Sequence, residues 1–108
     1  MAKNNLKKSE TNCSLKDVLD IIGGKWAMPI IYHLSKGKMR FKEMERTIEG
    51  INTRMLVKEL KNMEANGIIT RSVFATVPPT VEYALTLKGE KLLPSIHSLY
   101  NWGQEYIK

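Results

Sequence analysis

Between Gly50 and Gly67 the chain reads GINTRMLVKELKNMEANG, and this stretch restricts the fold more than any other. Leu56, Leu60 and Met63 recur at i, i+4 and i+7, which is one side of a helix with a 3.6-residue period. Arg54, Lys58, Lys61 and the small Ala65 fall on the other side. Asn52 is a good N-cap, Ile51 before it can pack on Leu56, and Gly67 supplies the left-handed residue that ends a helix. A helix anchored by its inner face and presenting cations outward has the shape and charge to lie in a DNA major groove. Taken alone, the segment is slightly better explained as an ordinary solvated helix, because basic outer faces are common.

The flanking sequence reverses that ranking. Phe41, Met44 and Ile48 form a shorter amphipathic pattern that stops at Glu49-Gly50, so two short helices meet at a glycine turn, a helix-turn-helix pattern. After Gly67 the period drops to two: Ile69, Arg71 and Val73 alternate with Thr70, Ser72 and Phe74, and Val81, Tyr83 and Leu85 with Glu82 and Ala84. These are two strands of a hairpin. Its tip, Thr76-Val77-Pro78-Pro79-Thr80, contains prolines that cannot donate to a ladder, so the strands part there into a stiff loop. A hairpin after a helix-turn-helix is a winged helix. The predicted fold class is therefore mainly α with a small β-hairpin (α+β).

Five segments in this order resemble the HxlR-type winged helix-turn-helix transcriptional regulators. They are Leu19-Asp20-Ile21-Ile22-Gly23-Gly24-Lys25-Trp26, Arg40-Phe41-Lys42-Glu43-Met44, the Gly50 to Gly67 segment, Val77-Pro78-Pro79-Thr80-Val81-Glu82-Tyr83, and Leu85-Thr86-Leu87-Lys88-Gly89. The similarity runs from about Cys13 to Trp102, and it rests on the order and spacing of all five segments rather than on any one. It implies a DNA-binding dimer built on the terminal helices.

Length and charge agree. A chain of 108 residues makes one domain with a high surface-to-volume ratio, which oligomerisation would relieve. The net charge of +6, from 17 Lys and Arg against 11 Asp and Glu, suits a nucleic-acid partner and also fits many basic proteins. Residues 1–12 read as a flexible basic arm carrying Lys3, Lys7 and Lys8, without the apolar stretch of a secretory signal. No apolar run reaches membrane-spanning length, and a single cysteine excludes an internal disulfide framework. A cytoplasmic protein with no membrane partner is the expectation.

The remaining helices hold the reading head. Ser14 can cap a helix with Asp17 three residues on, and Leu15, Val18, Leu19 and Ile22 form its expected inner stripe up to Gly23-Gly24. Trp26, Ile30, Ile31 and Leu34 line a second helix closed by Gly37, with Pro29 near its start. Residues 86–107 are expected to form one terminal helix capped by Thr86, with Leu92, Leu93, Ile96, Leu99, Tyr100, Trp102, Tyr106 and Ile107 over an arc too wide for one small core. A second copy of the chain is the favoured cover. The alternative is a monomer whose long helix wraps its own core. Leu92, Ile96, Leu99, Tyr100, Trp102, Tyr106 and Ile107 are thus the expected interface of a homodimer, whose symmetry would set two recognition helices about 34 to 36 Å apart.

Chemistry beyond binding is sparse. Cys13 directly precedes the cap of the first helix, where backbone amides and the helix dipole favour a thiolate, with Lys16 one turn on. The alternative is a half-buried cysteine acting as a small hydrophobe. The resemblance implies that a cysteine at this position can sense quinones, aldehydes or hypochlorite, so the two readings stay open. His33 and His97 lack motif-spaced partners for metal or nucleophilic catalysis, and Gly23-Gly24 is a helix stop rather than a phosphate loop. No enzyme, metal or cofactor is expected.

The sequence thus points to a dimeric regulator of a double-stranded operator within residues 13–108. The recognition-helix candidates are Asn52, Thr53, Arg54, Met55, Lys58 and Lys61, with Arg54 suited to a bidentate guanine contact. Backbone and wing candidates are Lys25, Arg40, Lys42, Thr76, Pro78, Pro79 and Thr80. A small electrophile or oxidant acting at Cys13 is the proposed signal. The alternatives are a noncovalent inducer and a winged helix that binds only protein.

Overall fold

The structure, a computed structural model, describes residues 13–107. The basic arm expected over residues 1–12 lies outside the described residues. Ser14 opens α1 (Leu15–Ile22), its hydroxyl accepting the Asp17 amide at 3.3 Å while the Asp17 carboxylate accepts the Ser14 amide at 2.9 Å. This reciprocal box satisfies amides that a helix start otherwise leaves bare. α1 departs from its expected inner stripe: Ile22 is buried and Val18 partly so, but Leu15 is 81% and Leu19 56% exposed. The helix packs chiefly against α2 (Ala27–Leu34), and one neighbour covers only part of its apolar arc.

Helix α2 is the centre of the core, burying Ala27, Ile30, Ile31 and Leu34. Trp26, at its N-cap, is half-buried and packs against this core, and Pro29 falls in the first turn, where no intrahelical bond needs its missing amide. A two-residue strand, β1 (Met39–Arg40), leads into α3 (Phe41–Thr47), and a turn with Gly50 at φ +89° leads into α4 (Thr53–Ala65). Leu56, Leu60 and Met63 of α4 are buried in the same core cluster as Met44 and Ile48, as their spacing predicts.

Helix α4 is closed at both ends. Asn52 Oδ1 accepts the Met55 amide at 2.8 Å. At the other end Gly67, at φ +74°, donates to Glu64 O at 3.0 Å and Ile68 donates to Met63 O at 2.9 Å. This pair of bonds is a Schellman cap, and a side chain at its left-handed residue would be strained.

β2 (Ile69–Phe74) and β3 (Thr80–Leu85) form the hairpin, in antiparallel register from Ile69 opposite Leu85 to Phe74 opposite Thr80. Thr80, expected in the tip, is the first residue of β3. β1 pairs with β3, Met39 opposite Tyr83 and Arg40 opposite Glu82, which makes a three-stranded sheet of order β1-β3-β2. The sequence did not reveal β1, because two residues show no period. The alternation in β2 does not become burial: Ile69 is buried and the rest is exposed, since the hairpin runs out beyond the core.

The terminal segment is two helices rather than the single one expected. Thr86 caps α5 (Leu87–Glu90), and α6 (Leu93–Tyr106) starts after Lys91-Leu92. Pro94 supplies the reason, because it has no amide to bond Glu90 O and its ring would clash with that carbonyl in a continuous helix.

Candidate nucleic-acid interface

Helix α4 turns its sequence pattern into a two-sided device. The inner residues Leu56, Leu60 and Met63 are at most 2% exposed, so the helix cannot roll without losing about 1.5 to 3 kcal/mol for each large side chain it uncovers. Asn52, Thr53, Arg54, Met55, Lys58 and Lys61 all lie on the exposed side. Among the described residues no ion pair engages Arg54, Lys58 or Lys61. Two neighbours are committed internally. The side chain of Asn52 is used as the cap, and the Thr53 hydroxyl donates to Glu45 Oε2 of α3.

The flanking cations are held in different ways. Lys25 Nζ lies 5.1 Å from the centroid of the Trp26 ring, and the edge of that ring abuts Gly50, in the turn between α3 and α4. Trp26 thereby places Lys25 beside the helix-turn-helix turn, although its own indole N–H is buried without a partner among the described residues. Arg40 is less free than the sequence suggested: its Nε lies 3.9 Å from Glu82 Oε2, and Lys38 Nζ lies 3.3 Å from the other oxygen of that carboxylate. These contacts join β1 to β3. Lys42 is exposed on α3 without an ion pair among the described residues.

A cleft of about 940 Å³ separates the start of α3 from the wing, lined by Arg40, Lys42, Arg46, Thr76, Pro78 and Pro79, among others. The wing tip is braced from within, as the Thr76 hydroxyl donates to Pro78 O at 2.6 Å and lies 2.7 Å from Thr80 Oγ1. Val77 at the tip is fully exposed. The structure adds two cations that sequence reasoning missed. Arg46 follows Lys42 by four residues, a spacing that already put both on one helix face. Arg71 of β2 shares a hollow with Lys61 and Glu64 of α4, a meeting that only the tertiary fold creates.

The expected interface residues divide into two groups. Ile96 is 5% exposed and, with the partly buried Leu92, belongs to the chain's own core, so Ile96 is corrected to a core residue. Its place on α6 faces α2, which covers it. Leu99, Tyr100, Trp102, Tyr106 and Ile107 are between 51% and 68% exposed. Tyr100 also stacks on Tyr32 of α2, with centroids 5.7 Å apart and planes 15° from parallel. Cys13 is exposed, and at the adjoining helix start the Asp17 and Ser14 amides are already bonded by Ser14 and Asp17.

Among the described residues no group of His, Cys, Asp and Glu is placed to hold a metal ion, and no helix is long and apolar enough to cross a membrane. Fold and exposed helix together define a winged helix-turn-helix DNA-binding protein. The chain belongs to the HxlR-like helix-turn-helix family, whose model matches residues 21–108. The helix-turn-helix-type transcriptional regulator YybR of Bacillus subtilis is 41% identical over 102 residues, spanning 94% of this chain and 82% of the relative. The redox regulator HypR in its oxidized form is 42% identical with a TM-score of 0.84, over 89% of this chain and 99% of that one. The reduced form of the transcriptional regulator YodB from B. subtilis is 32% identical with a TM-score of 0.77, over 91% of this chain and 97% of that one. Transcriptional regulation of helix-turn-helix type is the family's work, and such regulators are not enzymes.

Proposed function

We propose that the chain is a cytoplasmic homodimer that reads a pseudo-palindromic operator by inserting α4 into successive major grooves. The observation that carries this reading is the cationic face Arg54, Lys58 and Lys61, without an ion pair among the described residues and presented by a helix whose opposite residues Leu56, Leu60 and Met63 are buried. Arg54 and Met55 in the first turn read base edges. Lys61, Lys42 and Lys25 contact phosphate, and Thr76, Pro78, Pro79 and Thr80 carry the wing to the backbone or minor groove. Arg40 contributes mainly by holding β1 on β3. The exposed residues of α6, with Leu15 and Leu19 of α1, form the dimer surface; both helices pack on α2, which supports their acting together.

The signal is proposed to act at Cys13, and the redox regulator HypR among similar structures supports this. Addition of the thiol to a quinone forms one C–S bond and leaves the thiol proton on a ring oxygen. Hypochlorous acid instead takes two electrons from Cys13 and a second thiol, giving a disulfide, chloride, a proton and water. With one cysteine in the chain, that second thiol belongs to another subunit or to a small molecule. A noncovalent inducer is the second reading, favoured by an apolar cleft of about 360 Å³ between α2 and α6, lined by Met28, Tyr32, His33, Leu99 and Tyr100. Its volume lies within the range of small-molecule sites, about 300 to 1,000 Å³.

Salt dependence on duplex DNA tests the common part of both readings. Binding to a random duplex should weaken linearly in log–log form as salt rises, with a slope near −0.9 for each phosphate neutralised. Retention that is insensitive to salt would favour a winged helix that binds only protein.

A further inference from the structure

α4 is tied to the rest of the fold at its C-terminal end as well, through residues that the reading of DNA does not use. Thr86 Oγ1 donates to Gly67 O at 2.6 Å and lies 3.1 Å from Ile68 O, which also receives the Thr86 amide at 3.0 Å. The same hydroxyl accepts the Gly89 amide at 3.0 Å as the cap of α5. Two residues further, Lys88 Nζ donates to Asn66 O at 2.8 Å. A cation there also faces the partial negative charge at the end of α4.

Gly89 permits the approach. A Cβ at that position would lie 2.3 Å from Ile68 O and 3.2 Å from side-chain atoms of both Ile68 and Leu85, so α5 sits directly on the backbone that leaves α4. α5 then passes into α6 through Lys91-Leu92, where Lys91 N bonds Leu87 O at 3.1 Å and Leu92 N bonds Gly89 O at 3.1 Å. The junction is therefore hydrogen-bonded from Asn66 to the root of α6, without a free loop.

We infer that Thr86 and Lys88 are positioning residues: they clasp the C-terminal end of α4 and fix its direction relative to α6. Neither side chain is proposed to touch DNA. The consequence for recognition rests on the dimeric reading above, in which α6 joins the two subunits and α4 reads each half-site. With α6 fixed across the dimer, the clasp sets the separation and tilt of the two recognition helices, and hence the half-site spacing that the dimer accepts. Loss of the clasp would leave α4 held by Leu56, Leu60 and Met63, by the Thr53–Glu45 bond and by the Thr86 amide on Ile68 O, with its C-terminal end less tightly fixed in direction.

The test measures the angle first and the DNA second. Spin labels are placed through Glu64→Cys in α4 and Gln104→Cys in α6 on a Cys13→Ser background, diluted with unlabelled protein so that only intrachain distances report. The chain with Thr86 and Lys88 intact should give one narrow distance distribution. Thr86→Val with Lys88→Met should broaden or shift it, and Thr86→Ser with Lys88 intact should keep it narrow. A distribution unchanged by the double substitution overturns the clasp.

The duplex recovered by selection with the native chain is then compared with the same duplex carrying one extra base pair between half-sites. The native chain should prefer the selected spacing by about tenfold, and the Thr86→Val, Lys88→Met chain should discriminate by no more than about twofold. A preference of about tenfold in both chains would also overturn the proposal. A broadened distance distribution with no spacing preference in the native chain would keep the clasp and remove the dimeric-operator reading instead.

Discussion

Asn52 accepts the Met55 amide through its Oδ1 at 2.8 Å, and this bond uses the side chain that would otherwise stand at the front of the DNA-facing helix. Asn52 therefore orients its neighbours Arg54 and Met55 by fixing the first turn of α4. Replacing it with Ala should destabilise the fold by about 0.5 to 2 kcal/mol. In a domain of this size that lowers the unfolding midpoint by roughly 4 to 8 °C per kcal/mol. Asn52→Asp should recover most of the loss. Thermal unfolding followed by circular dichroism checks both, and an unchanged midpoint for Asn52→Ala would show that the cap carries no stability.

Base reading and phosphate contact are separable on the same helix. Arg54→Ala should cost about 1 to 3 kcal/mol on the operator and relax base preference at one position of each half-site. Lys61→Ala should weaken binding to all duplexes similarly and flatten the salt dependence. Equal losses on specific and random DNA for Arg54→Ala would move Arg54 to the phosphate group.

The division of α6 into core and exposed residues predicts two different phenotypes. Leu99→Glu with Tyr106→Lys should give a folded monomer with weak operator binding, because both residues are more than half exposed. Tyr100 is avoided here since it stacks on Tyr32 within the chain. Ile96→Ala should instead reduce stability by about 2 to 5 kcal/mol, the usual cost of emptying a core site. Light scattering and chemical denaturation distinguish them, and an intact dimer after the double substitution would take α6 out of the interface.

Cys13 supplies a chemical test. A quinone or hypochlorite pulse should change operator affinity in the native chain by about 5- to 150-fold, a normal range for coupled sites. Cys13→Ser should bind DNA before treatment and should not respond. Complete modification, confirmed by mass spectrometry, with unchanged affinity would assign the signal to a noncovalent ligand or to none.

What the sequence made legible follows from periodicity. α4 and the hairpin were readable because a long run repeats: Leu56, Leu60 and Met63 mark a helix face, and Val81, Tyr83 and Leu85 mark a strand. The two-residue β1 repeats nothing, and the pairing of Arg40 with Glu82 across the sheet is visible only in the tertiary fold. The exposure of Leu15 and Leu19 was hidden for a related reason, as an apolar stripe shows that a face needs cover without showing what covers it. The break before α6 was present in Pro94, whose effect was masked by the apolar pattern around it. The clasp of Thr86 and Lys88 on α4 spans 18 to 22 residues of chain and has no local signature.

Selection from a random duplex library with the native chain tests the central claim most directly. The account predicts enrichment of an inverted repeat whose half-site centres are one helical turn apart, about 34 to 36 Å, and loss of one fixed base per half-site when the selection is repeated with Arg54→Ala. Recovery of no common sequence, or of a single asymmetric site read equally well by Arg54→Ala, would contradict a dimer that reads DNA through α4.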